Sequence, residues 1–228
     1  KNVAVQVNKI LARFNLFVLY RIGAAIGDQV CMSAVVRMLH EQYGFKIMVI
    51  CTYPEIFKYN PRVWKMLSFY EIPAYFRKSV RRLIDFLCGD HIENFCFPSV
   101  QGRSLAEYMR ETKTVCHLVE AHSKHFKLPL QYGTMSPEIY LSTDEIKHCK
   151  EKYRLPEPYA VIQSMGKTSF TPVKEWGAQN FQAVTKLLDR INWVQVGTAD
   201  DPILEGAVNL CGKTSLRELA CIIRGAKF

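Results

Sequence analysis

At 228 residues, 49% hydrophobic and 22% charged, the chain has an ordinary globular balance, which excludes disordered and fibrous architectures and leaves room for one large domain or two small ones. No uninterrupted stretch reaches the roughly 18 apolar residues of a membrane-spanning helix, and a formal net charge of +9 calls for an acidic partner: a phosphorylated ligand, an anionic membrane face or nucleic acid. Eight cysteines without a C-x-x-C pair, several inside apolar runs, read as reduced core residues of a cytosolic protein rather than as disulfides or metal ligands.

The sequence opens Lys1-Asn2-Val3 with neither an initiator Met nor a signal pattern, so it is expected to start inside a longer protein. The first clear element is the apolar run Asn15 to Tyr20, a buried strand, which feeds a glycine-containing loop from Arg21 to Asp28. Cys31, Ala34, Val35 and Met38 then share one helical face, with Asp28 at the helix N-terminus. A second strand, Lys46 to Cys51, follows Gly44, and the three elements have the length of one βαβ unit, hence a parallel sheet in an α/β fold. Further strands are expected at Val63 to Phe69 and Glu93 to Phe97, with helices at Phe76 to Leu87 and Thr114 to Phe126. Ser142 and Glu145 form a capping box opening a helix through Tyr153, and Pro156 and Pro158 then mark a domain boundary, giving domains 1–154 and 155–228. Beyond it the pattern repeats: strand Tyr159 to Gln163, polar loop Ser164 to Gly177, helix Ala178 to Arg190, strand Asn192 to Val196, and a helix capped by Ser215 and Glu218. With only two or three strands, this second α/β domain reads as truncated.

These residues together resemble the heptosyltransferase family, glycosyltransferase family 9. In the first domain the likeness rests on Arg21-Ile22-Gly23, Ile26-Gly27-Asp28 leading into Ser33-Ala34, and Asn60-Pro61. In the second it rests on Lys174-Glu175-Trp176 with Phe181 beyond, Val196-Gly197 with Asp200-Asp201, and Leu210 to Leu216. Family members usually carry Pro where Ala34 stands, and Ile72 to Glu93 matches no family feature. The resemblance implies two Rossmann-like domains facing across a cleft (GT-B type), the first holding acceptor and the second a nucleotide-sugar donor, plausibly ADP-heptose. It implies inverting transfer to a lipopolysaccharide-type glycolipid or a protein, without metal or cofactor. Asp28 corresponds to the catalytic base, where a carboxylate can take the acceptor hydroxyl's proton; the alternative is an aspartate that merely favours its helix dipole. Arg21, Gly23 and Gly27 belong to the acceptor-side loop, and the glycines permit turns or close ligand approach. Lys174 corresponds to the lysine that neutralises the departing diphosphate. Thr168 and Ser169 could donate to phosphate, and Asp201, or Asp200 beside it, could hold the ribose hydroxyls. A non-catalytic nucleotide-sugar-binding scaffold of the same fold is the competing reading.

Other signals are set aside. Gly166-Lys167-Thr168 and Gly212-Lys213-Thr214 lack the first P-loop glycine, which is Val161 and Ala207 respectively. His117, His122 and His125 do not share a face for metal binding, and Cys31 lacks a partner motif for thiol chemistry. The helix from Phe76 to Leu87 is amphipathic, with Arg77, Lys78, Arg81 and Arg82 on its polar side. It either docks on its own sheet with a solvated basic face or meets an anionic inner membrane or phosphorylated acceptor, at a cytoplasmic location. Nucleic acid is disfavoured, since aromatic residues do not alternate with the basic ones as stacking platforms would.

Overall fold

The computed structural model describes residues 16–21, 25–88, 113, 119–120, 136–166 and 175–228. The expected strand at Glu93 to Phe97, most of the helix expected at Thr114 to Phe126, and His117, His122 and His125 lie outside the described residues. The chain divides into two compact units, Lys1–Tyr140 and Leu141–Phe228.

In the first unit, strands β1 (Leu16–Arg21), β2 (Lys46–Cys51) and β3 (Val63–Ser68) lie in that order, all parallel. Leu19 pairs with Val49 and Tyr20 with Ile50. Leu19, Ile47, Val49, Ile50 and Cys51 are all buried, as expected of a parallel sheet covered on both faces. Helix α1 (Ile26–Tyr43) carries the chain from β1 to β2 and stops at Gly44, whose φ of 67° places its N–H on the His40 carbonyl at 2.8 Å. Its packed surface is wider than the expected Cys31, Ala34, Val35 and Met38 stripe: Met32, Val36 and Leu39 are fully or almost fully buried while Cys31 is half-buried. The helix lies inside the unit rather than on it, so more than one stripe must be apolar. β3 is the last strand of the described sheet, with Trp64, Lys65 and Met66 exposed, and leads through a 3-10 turn (Phe69–Glu71) into α2 (Ala74–Cys88).

A partly buried ion cluster ties the segment Ser136–Tyr140 to this sheet. Glu138 accepts from Arg37 and, at 3.0 Å, from Arg62; the Tyr140 hydroxyl donates to it at 2.9 Å. Its backbone N–H donates to Ser33 Oγ at 2.7 Å, and Arg37 also reaches the Ser136 carbonyl. Burial alone would raise the Glu138 carboxyl, but these donors and the two guanidinium charges hold it below its usual range.

In the second unit, β4 (Tyr159–Ile162), β5 (Asn192–Gln195) and the two-residue β6 (Val208–Asn209) form another parallel sheet. Lys227 N–H donates to the Tyr159 carbonyl at 2.8 Å, and Val161 N–H to the Phe228 carbonyl at 3.1 Å, on the edge of β4 opposite β5. The chain has therefore crossed to the other side of β4 after β6, and such a reversal of strand order opens a crevice at the carboxyl ends of the strands.

Helix α3 (Thr143–Tyr153) belongs to this second unit, so the division falls ahead of it and not at the proline-marked position after Arg154. The reason is its packing on α5 (Leu216–Gly225). Cys149 shares a core with Tyr159, Val194 and Ile222, and Arg217 forks onto Glu145 at 3.0 and 2.6 Å. Pro156 and Pro158 mark a turn within the unit. Helix α4 (Ala178–Leu187) completes the layer, ending three residues before the expected Arg190. Both capping boxes form as the sequence indicates, Ser142 with Glu145 and Ser215 with Glu218.

Glu218 also accepts from Lys152. Its partial burial would raise the carboxyl, but Lys152 and the Ser215 N–H and hydroxyl outweigh that and hold it down to about 2. Because the folded value lies below the unfolded 4.5, this contribution is complete above about 4.5 and disappears as pH falls toward about 2. Glu218→Gln should therefore lower the urea midpoint near neutrality, and the gap from the parent protein should close on titration to about pH 2.

Candidate functional site

Parallel strands place β1, β2 and β3 with their carboxyl ends, Arg21, Cys51 and Ser68, along one edge of the first sheet. Helix α1 starts at that edge. Its N-cap is Ala25, which offers no side-chain hydrogen bond, and Asp28 stands in the first turn, half-buried, at the positive end of the helix dipole. Gly27 lies inside the helix rather than in a turn, and a Cβ built there would meet nothing within 4 Å among the described residues. Its value is thus open space in front of the first turn, not backbone freedom. Gly23 lies outside the described residues, and Arg21 is described only as the last residue of β1.

The residue that fixes this turn escaped the sequence reading. Gln29 is fully buried, and its Oε1 accepts from the Tyr53 N–H at 3.0 Å, tying the first turn of α1 to the loop beyond β2. Its Nε2 is buried without a hydrogen-bond partner among the described residues. A glutamine falling i, i+3, i+4 and i+7 with Met32, Ser33 and Val36 was the available signal. Cys31, beside it, is unsuited to nucleophilic chemistry, because burial and then the Asp28 charge push its thiol up. Asn60, of the Asn60-Pro61 pair, is buried in a turn, its Oδ1 accepting from Arg62 N–H at 3.0 Å.

In the second unit the corresponding strand ends hold a polar frame. Gln195 at the end of β5 is fully buried; its Nε2 donates to the Pro202 carbonyl at 2.7 Å and to Ser164 Oγ at 3.1 Å, and its Oε1 accepts from Leu204 N–H at 2.8 Å. Gly166 N–H donates to Glu175 Oε1 at 3.0 Å, joining the two ends of the polar loop. Thr168, Ser169 and Lys174 lie in that loop, outside the described residues. Trp176 packs edge-on against Phe181 of α4 at 5.1 Å between centroids. Asp200 is exposed, whereas Asp201 is turned inward: its Oδ1 accepts from the Thr198 hydroxyl, and its Oδ2 lies 2.0 Å from where a Cβ on Gly197 would sit. Only glycine leaves that carboxylate its place. Lys213 donates to the Asn209 carbonyl of its own turn at 2.9 Å, so Gly212-Lys213-Thr214 is a turn and not a phosphate cradle.

Among the described residues, no three His, Cys, Asp or Glu side chains are grouped to hold a metal ion. A groove of about 330 Å³ opens between α3, α5 and the start of β4, past Cys149, Arg154, Tyr159 and Arg224. It is at the amino end of β4, remote from the carboxyl ends where ligands enter such sheets.

The sequence profile of glycosyltransferase family 9 (heptosyltransferase) matches residues 103–228, more than half of the chain. The chain belongs to this family. Its fold is the GT-B type of three solved structures. It is similar to E. coli ADP-heptose lps heptosyltransferase II, with 18% identity, a TM-score of 0.58, and coverage of 92% of this chain and 77% of that one. For the glycosyl transferase family 9 structure from Veillonella parvula DSM 2008 the values are 14% identity, TM-score 0.63, and 92% and 73% coverage. For E. coli heptosyltransferase WaaC with ADP they are 13% identity, TM-score 0.52, and 93% and 80% coverage. No curated protein matches the sequence. Of the residues singled out above, Lys174 and Asp201 fall within the profile match, whereas Asp28 precedes it.

Gln29→Met keeps the volume but removes the acceptor for Tyr53 N–H, a loss of about 1 kcal/mol partly offset by removing the unpartnered amide. Chemical denaturation should show that modest loss, with transfer activity falling by more than stability accounts for because Asp28 shares the anchored turn.

Proposed function

We propose that this family 9 protein is an inverting heptosyltransferase that uses Asp28 as general base and needs no metal. The observation that carries the reading is the placement of Asp28: a half-buried carboxylate in the first turn of α1, at the carboxyl edge of a parallel sheet, with open space before Gly27 and an anchor through Gln29. In the reaction, the acceptor hydroxyl oxygen attacks the anomeric carbon on the face opposite the diphosphate. Its proton passes to the Asp28 carboxylate, the bond from carbon to the leaving oxygen breaks, and the electron pair leaves with the nucleoside diphosphate. Lys174 offsets the negative charge on that diphosphate, with Thr168 and Ser169 donating hydrogen bonds to it. Asp201 holds the donor ribose hydroxyls, and Arg21, Gly23 and Gly27 form the acceptor side. The donor is ADP-heptose and the acceptor a lipopolysaccharide-type glycolipid, by analogy with the E. coli ADP-heptose lps heptosyltransferase II and the ADP-bound WaaC. No helix among the described residues is long and apolar enough to cross a membrane, and the enzyme acts in the cytoplasm, peripherally on the inner membrane face.

Transfer from ADP-heptose to a lipid acceptor by Asp28→Asn should fall on the order of 10² to 10⁴-fold, with ADP affinity by calorimetry unchanged. Undiminished transfer by that variant would remove Asp28 from the mechanism. Lys174→Ala should weaken ADP-heptose binding and lower kcat together, and chelation of divalent ions should leave the rate unchanged; a rate restored only by added metal would refute the metal-free step.

A further inference from the structure

We infer that Gln195 is a positioning residue for the donor nucleotide: its amide locks the segment after β4, which leads to the groups proposed to meet the diphosphate, to the segment after β5, which carries Asp201. The inference rests on the proposed donor site, and the experiment below separates its failure from failure of that reading.

The residues around Gln195 belong to an apolar core. Val194 is fully buried and Val196 almost so, and an amide buried between them is unfavourable unless its polar atoms find partners. Those partners come from two separate stretches of chain. On one side Nε2 donates to Ser164 Oγ at 3.1 Å, just beyond β4. On the other, Nε2 donates to the Pro202 carbonyl at 2.7 Å and Oε1 accepts from Leu204 N–H at 2.8 Å, both past β5. Ser164 is itself almost fully buried, and its hydroxyl donates to the same Pro202 carbonyl at 3.5 Å, across 38 positions of sequence. The choice of side chain is narrow. Glutamine supplies two donors and an acceptor without charge. A methionine would fill the space but leave the Leu204 N–H without its acceptor, and a glutamate would lose both donors and bury a charge.

Each tied segment runs on to proposed donor groups. From Ser164 the chain reaches Gly166, whose N–H donates to Glu175 Oε1 at 3.0 Å, next to Lys174 in sequence. Pro202 directly follows Asp201, which the Thr198 hydroxyl holds. With the two segments locked together, a ligand carrying both a ribose and a diphosphate meets both sets of groups at a fixed separation. Its second contact then forms without further ordering of the chain. A ligand with only one of those parts gains nothing from the lock. The signature of the Gln195 amide is therefore a ratio, the affinity for ADP over that for adenosine, which a role in packing alone would not move.

The test measures ADP binding by calorimetry and adenosine binding by ligand-observed NMR titration, for the parent protein and two variants. Gln195→Met should lower ADP affinity about tenfold and Ser164→Ala about fivefold, while adenosine affinity changes by no more than about twofold in either. Ser164→Ala keeps the bonds to Pro202 and Leu204, so it tests the lock even if Gln195→Met does not fold. In transfer assays the KM for the sugar nucleotide should rise in both variants by more than kcat falls. The inference is overturned if folded Ser164→Ala keeps the parent ratio of ADP to adenosine affinity, or if both ligands weaken equally. A parent protein that binds ADP no better than adenosine sinks the donor reading and this inference with it, whereas a parent that prefers ADP and variants that keep its ratio sink the inference alone.

Discussion

Because every strand pair among the described residues is parallel, each connection between them must return across a sheet face, and the loops at the carboxyl ends gather along one edge. Asp28 in the first unit, and the Gly166–Glu175 and Gly197–Asp201 segments in the second, all occupy such edges. Their positions follow from strand direction before any side chain is considered. What side chains add is precision: Gln29 holds the α1 turn to the loop beyond β2, and Gln195 holds the end of β5 to the Pro202 loop. In each unit a buried neutral amide performs this fastening, so no buried charge has to be compensated.

Carboxylates fasten the helices and the Ser136–Tyr140 segment. Glu138, Glu145 and Glu218 each receive two or more donors, from arginine or lysine together with a backbone N–H or a hydroxyl. Each of these acids takes at least one cation with it, Arg37 and Arg217 lying deeper than the carboxylates they meet, so the charge left over is the excess of 30 basic over 21 acidic residues. Fold stability and attraction toward phosphorylated partners are thus linked: the same charge imbalance that leaves cations exposed lets each inward acid find a partner.

Local signals were legible. The opening strand, α1, β2 and both capping boxes are specified by residues within a few positions of each other, and they formed as read. Features that depend on distant partners were not. The unit boundary moved ahead of α3 because Cys149 and Glu145 find partners on α5, which sequence spacing does not encode. β6 is two residues long, too short to leave a periodicity. Gln29 carried no sign of its role, which only the distant Tyr53 gives its amide, and the burial of Asp201 beside Gly197 left no mark in the spacing. Asp28 was legible only through the resemblance; its place in the first turn of α1 follows from the local helix signal.

The Glu138 cluster also bears on how the first unit assembles. Arg37 and Glu138 are separated by 101 positions, and Arg62 and Glu138 by 76, so a long stretch of chain must be brought into order before either pair can form. Closing such spans costs entropy ahead of any gain, as does parallel strand pairing. A topology with such contacts folds slowly, because the span must close before the cluster repays its entropy.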